Sequence, residues 1–162
     1  MTTEQIPLAP LDPATDLSFT RRLAVPPALV WDCWTMPEHI PHFFVPRPHR
    51  VTHCAIDLRP GGRFDTTFEV EGNEMQNNGV WLEVVPQTRL VFSDAFTAGW
   101  KPNPDPFMTA IIDIAPDGEG GTTYTATARH RSSDAKAQHE AMGFFDGWGT
   151  VASQLEAYAQ TL

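Results

Sequence analysis

The stretch Glu140–Leu162, EAMGFFDGWGTVASQLEAYAQTL, decides the fold. Within it Ala141, Phe145, Trp148, Ala152, Leu155, Ala159 and Leu162 recur at alternating steps of four and three, the spacing of one helix face. At the rise of an α-helix this apolar stripe is about 30 Å long. Ser132 or Ser133, followed by Asp134, supplies an N-cap, so the helix is expected to start there. Gly143, Gly147 and Gly149 oppose it, each by about 1 kcal/mol relative to alanine. On a helical projection Gly143 and Gly147 lie roughly 100–160° from the stripe. They are therefore expected to ease irregular first turns rather than to hollow out the interior. Gly149, on the other flank, is expected to approach a sheet closely, with a regular helix after it. Phe145 and Trp148 are the residues expected to face inward.

Outward from this helix the chain changes period. TTYTATARH alternates, with Tyr124, Ala126, Ala128 and His130 on one face. RFDTTFEVE alternates too, with Phe64, Thr66, Phe68 and Val70 on one side. GVWLEVV, RLVFSDAF and FMTAIIDIA are rich in β-branched and aromatic residues and bounded by Pro, Gly, Asn or Asp. HRVTHCAIDL completes this run, and RPGG after it suits a tight turn. PDGEGG at 116–121 reads as a hairpin loop. Before the run, LSFTRRLAV is a strand with Leu17, Phe19, Arg21 and Leu23 on one side. PPALVWDCW and MPEHIPHFF then read as two short helices, the first opened by its prolines. Residues 1–15, with Pro7, Pro10 and Pro13 and no periodicity, form an arm, and residues 16–162 a single domain.

A sheet with one apolar face must cover it, and only the long C-terminal helix is large enough. The expected fold is α+β: a curved antiparallel sheet of about six to seven strands wrapped around a long C-terminal helix, a helix-grip, with two short helices after the first strand.

Net charge is −9 and only Lys101 and Lys136 are lysines, so no phosphate-tracking surface is expected. An anionic membrane surface is disfavoured for the same reason. No apolar run reaches the roughly 20 residues of a membrane span, and MTTEQIPLAPLDPATD lacks the features of a secretory signal. A cytoplasmic location with Cys33 and Cys54 as reduced thiols is expected. His39, His42, His49, His53 and Cys54 lie within sixteen residues and are of zinc-binding type. Their spacing matches no finger or catalytic motif, so no metal and no cofactor is assigned. G-x-S-x-G, H-E-x-x-H and P-loop motifs are absent.

The stretches PPALVWDCWTMPEHIPHFF, DLRPGGRF, GVWLEVVPQTRLVF and GGTTYTATA, with the tryptophan and leucines of the C-terminal helix, resemble the START-like, birch-pollen-allergen-like superfamily (SRPBCC). Within it they are similar to the branch of activator-of-heat-shock-protein-90-ATPase homologues. The resemblance runs from about Leu17 to Leu162. It departs at Phe43 and Phe44, where members often carry a tryptophan pair, and in the proline- and histidine-rich VPRPHRVTHC. It implies a hydrophobic cavity between helix and sheet.

Ala126 and Ala128 are small where a filled core would carry Val or Leu, which is consistent with such a cavity. Its expected lining is Trp34, Phe43, Phe44, Phe64 and Trp100, then Met108, Tyr124 and Ala126, then Phe145 and Trp148. His130 joins these, and Asp94 and Arg63 are further sources of polarity. The expected function is binding of a small hydrophobic or aromatic molecule there. A polyketide cyclase- or hydrolase-like enzyme using His130 with Asp94 or Tyr124 is the second reading. A chaperone ATPase regulator or protein-interaction module is the third. A homodimer is compatible with the sequence.

Overall fold

The alternating segments pair into one large sheet because each presents an apolar face that a partner strand extends. A computed structural model describes residues 5–162. Its strands are β1 (Asp16–Leu23), β2 (Arg50–Ile56), β3 (Arg63–Val70), β4 (Asn73–Val85), β5 (Arg89–Ser93), β6 (Phe96–Thr97), β7 (Lys101–Pro102), β8 (Thr109–Pro116) and β9 (Thr122–Arg129). Helix α1 (Pro27–Thr35) and a 3-10 turn (Ile40–His42) follow β1, and α2 (Ser133–Ala141) and α3 (Phe144–Ala159) close the chain. Seven strands form an antiparallel sheet in the order β1-β9-β8-β5-β4-β3-β2, and β6 and β7 form a separate ribbon.

The helix-facing side carries the residues that alternation placed together. Leu17, Leu23, Tyr124, Ala126 and Ala128 are all buried, and Arg21 reaches across to donate to Ser153 and Glu156 of α3. A bulge between Trp81 and Glu83 resets the alternation of β4. Trp81 consequently stacks on Phe64 at 4.5 Å, and Val84 also packs on the core. Pro27 occupies the first turn of α1, and Val30, Cys33, Trp34 and Thr35 are its buried residues.

Arm residues 5–15 run over the other side. The Ile6 amide donates to Glu83 at 2.7 Å and Arg89 donates to the Ile6 carbonyl at 2.9 Å. The Arg129 guanidinium, paired with Asp16 at 2.8 Å, also donates to the carbonyl of Ala9. Residues 1–4 of the expected arm lie outside the described residues.

The RPGG turn forms with Gly61 at a φ of +83°, a conformation open to glycine. A Cβ there would meet Trp100 Cζ2 at 2.6 Å, so Trp100 closes over the turn.

Cys33 is buried and Cys54 half-buried, and both are free thiols. Burial foremost, then Asp32, pushes the Cys33 thiol up to about 11. Burial, then Asp65, pushes Cys54 up to about 12. Thiolate is the reactive form, so iodoacetamide at pH 8 is expected to alkylate both at least about tenfold more slowly than glutathione. Equal rates, followed by mass spectrometry, would contradict this.

Candidate functional site

The site begins at a break in the helix. Ser132 caps α2 by accepting from the Ala135 amide at 3.1 Å, and α2 runs out at Ala141. Gly143 then adopts φ +95° and ψ +47°, left-handed backbone that glycine enters without a Cβ penalty. The Gly147 amide donates to the Gly143 carbonyl at 2.7 Å and α3 starts afresh.

This corrects the single helix expected from Ser133. A projection at constant angle cannot be carried through a left-handed residue, so Ala141, before Gly143, falls outside the face that α3 buries. Phe144, not Phe145, turns inward: Phe144 is buried and Phe145 is 49% exposed. Downstream the expected phase holds, with Ala152, Leu155 and Ala159 buried, whereas Ala141 and Leu162 are exposed. Phe145 and Gly149 line a separate outer groove with Arg47 and Gln154. A Cβ on Gly149 would meet nothing within 4 Å, so Gly149 makes no close approach to the sheet.

Between this corner and the β3–β4 end of the sheet lies a cavity of about 710 Å³. α3 packs on β1, α1 and the 3-10 turn, which leaves the opposite end of the sheet uncovered by it. Phe64, Thr66, Phe68 and Val70 of β3 form one wall. Phe44, Phe92 and Met108 continue it, and Gly143, Phe144, Gly147 and Trp148 form the wall opposite. Gln154 steadies this arrangement. Its Nε2 donates to the carbonyls of Phe43 (3.0 Å) and Val45 (2.8 Å), and its Oε1 accepts from the Arg47 amide at 3.0 Å. The loop bearing Phe44 is thereby held against α3.

Of the residues expected to line the cavity, the structure brings together Phe44, Phe64, Met108 and Trp148, with Asp94 beside them. The others lie elsewhere. Trp34 and Phe43 are fully buried behind Phe44, with Trp34 edge-on to both at 5.4 Å. Tyr124 and Ala126 belong to the packed core. The small side chains at 126 and 128 serve close helix–sheet packing rather than open space. Trp100 is 59% exposed on its hairpin, edge-on to Phe96. Arg63 is exposed and paired with Asp65. Gly143 and Gly147, expected to stay clear of the interior, line it.

His130 stands one layer behind the cavity. Its Nδ1 lies 2.7 Å from the Thr15 carbonyl and its Nε2 lies 2.8 Å from Nδ1 of His139, which does line the cavity. The His139 ring sits between Phe107 (4.6 Å) and Phe144 (5.2 Å). Burial, and secondarily the neighbouring His130, lowers the His139 pKa to about 4. Asp94 accepts from the amides of Phe107 (2.8 Å) and Met108 (3.1 Å), which folds the 94–108 loop onto the cavity. Neither couple expected of an enzyme, His130 with Asp94 or with Tyr124, is hydrogen-bonded among the described residues.

Sequence reasoning did not assign His139, Phe107 or Phe144 to the lining. Phe68 was legible from the alternation of β3. Phe107 and His139 carry no local signal, because a loop closure and a helix corner bring them together. Of the histidine cluster, His49 reaches the cavity, while His39 contacts the Tyr158 hydroxyl at 2.6 Å and His42 stacks on the same ring. Among the described residues no group of three or more His, Cys, Asp or Glu is arranged to hold a metal ion. No helix among them is long and apolar enough to cross a membrane.

An antiparallel sheet that grips a C-terminal helix and leaves an apolar cavity beside it defines the helix-grip, START-like class. Within that class, residues 24–160 match the family described as Activator of Hsp90 ATPase homolog 1-like protein, and the chain belongs to this family. A crystal structure of a Nitrosomonas europaea protein is 41% identical, with a TM-score of 0.90 over 93% of this chain and 97% of that one. A Mycobacterium smegmatis protein is 25% identical with a TM-score of 0.75, covering 90% of each chain. An Aeromonas hydrophila protein of the same family description shares the fold at 21% identity and a TM-score of 0.69, over 88% of this chain and 93% of that one. Among curated proteins none matches.

Proposed function

We propose that this protein binds a small molecule with a hydrophobic or aromatic body in the cavity between β3–β4 and the α2–α3 corner. The observation that carries this reading is the cavity itself. Its 710 Å³ is of the size that small-molecule sites have, about 300–1,000 Å³. Phe44, Phe64, Phe68, Phe92 and Trp148 give it a mostly aromatic wall. Close-packed interiors seldom leave such a space empty of purpose, because each unfilled contact forfeits dispersion energy.

Gly147 provides the test. A Cβ on it would meet nothing within 4 Å, so a larger side chain is accommodated by the backbone and enters the cavity. Gly147→Leu also removes a helix-weakening residue, which favours the fold by up to about 1 kcal/mol. The variant is expected to melt no lower than wild type and to bind the neutral dye N-phenyl-1-naphthylamine at least about tenfold more weakly. Unchanged dye affinity in a folded variant, or no dye binding by wild type, would remove the cavity as the binding site. Native mass spectrometry of protein purified from its own host would then identify the physiological occupant.

A further inference from the structure

We propose that the cavity takes a neutral molecule bearing a hydroxyl group, whose O–H donates to Nε2 of His139, in preference to carboxylates or other anions. This rests on the reading of the cavity as a ligand site.

Hydrogen-bond complementarity sets the tautomers. The Thr15 carbonyl can only accept, so Nδ1 of His130, 2.7 Å away, carries the proton. A neutral His130 then offers a lone pair at Nε2. Nδ1 of His139, 2.8 Å from it, must therefore be the N–H donor. That leaves Nε2 of His139 as a bare acceptor. It has no protein hydrogen-bond partner among the described residues. The opposite assignment needs a doubly protonated His130. His130 is 8% exposed, and its polar contacts are a carbonyl and an imidazole with no carboxylate, so that charge would be buried without a counterion. His139 is 6% exposed and clamped between Phe107 and Phe144, so the acceptor is held in place.

Of the remaining polar lining, Asp94, Ser93 and Thr66 are engaged within the protein, Asn77 and Asn78 are exposed, and His49 is half-buried on the loop after Phe44. Asp94 is occupied by the Phe107 and Met108 amides. Ser93 Oγ accepts from the Ala95 amide and the Thr109 hydroxyl, both at 3.0 Å. Thr66 donates to the Asn77 carbonyl. No lysine or arginine lines the cavity and the Asp94 carboxyl does, so a carboxylate would enter with no fixed cation to pair with. The relay ends on a peptide carbonyl, which takes up no proton and carries no negative charge to balance an imidazolium. His139 is thus built to accept a hydrogen bond rather than to abstract a proton. Its lowered pKa keeps it in the acceptor form at neutral pH.

Calorimetric titration of the full protein with 2-naphthol, 2-methoxynaphthalene and 2-naphthoate tests this. 2-Naphthol is expected to bind about tenfold more tightly than its methyl ether, and the naphthoate most weakly. His139→Phe is expected to erase the preference for the hydroxyl while retaining the ether. Where that variant melts early, histidine ¹⁵N spectra of wild type supply the second measurement, with His139 expected as the Nδ1–H tautomer. Equal affinity for naphthol and ether, or an Nε2–H tautomer, would overturn the proposal and leave the cavity reading intact. Failure of all three compounds to bind would overturn both.

Discussion

Trp34→Ala is expected to cost about 3–5 kcal/mol of stability, the range for deleting a large aromatic side chain from a packed core. Trp34 is fully buried on α1. Its ring meets Phe43 and Phe44 edge-on at 5.4 Å and tilts against Phe92 at 5.8 Å. It therefore joins α1, the loop after the 3-10 turn and the centre of the sheet. Alanine would leave a void lined by rings that cannot collapse together, because each is held by a different element. For a domain of this length the melting temperature should fall by roughly 10 °C. Trp100→Ala is the control: 59% exposed, Trp100 should matter within about 1 kcal/mol. Urea unfolding measures both. A Trp34→Ala variant within about 1 kcal/mol of wild type would show that α1 is not anchored through this ring.

The second large effect is a dependence on pH carried by His139. Unfolded, its imidazole titrates near 6.5, and folded it titrates at about 4, chiefly because burial disfavours the charged form. Between these values the unfolded chain binds a proton that the folded protein does not. Stability is therefore complete above pH 6.5, falls as pH drops towards 4 and levels off below it. At about 1.4 kcal/mol per pKa unit the loss approaches roughly 3 kcal/mol. The titratable group in contact with His139 is His130, and the Asp94 carboxylate shares the cavity lining. The Lys136–Glu140 pair lies on the same helix. The quantity to compare is the difference between wild type and His139→Phe, in which charges common to both proteins cancel. Between pH 6.5 and 4 wild type should lose about 3 kcal/mol more than the variant. Parallel stability curves for the two proteins would refute the role of His139.

Much of the architecture was legible because its causes are local or periodic. Alternation in β3 placed Phe64, Thr66, Phe68 and Val70 on one face, and all four line the cavity. Pro27 at the start of α1, the glycine turn at 61 and the cap at Ser132 are short-range features that neighbouring residues specify by themselves. The helix-grip arrangement followed from the need to cover the sheet's apolar face and the resemblance carried the family; the sheet topology and the family match agree with them.

The site was legible only in part. Phe44, Phe64 and Trp148 were read as aromatic and Met108 as apolar, whereas Trp34 and Tyr124, equally aromatic, lie in filled core with Ala126. Composition cannot separate a ring that lines a void from one that fills it.

By itself, then, the amino-acid order determined the strands, the short helix at the prolines, the closing helix and the apolar faces that bring them together. These depend on periodicity and on the conformations open to proline and glycine. Tertiary structure alone decided that the helix breaks at the left-handed Gly143 and that Phe144 rather than Phe145 turns inward. It also decided where the cavity lies, because α3 covers one end of the sheet and not the other. The link from Thr15 through His130 to His139 joins residues 115 and then 9 positions apart, and only the folded chain brings them within hydrogen-bond distance.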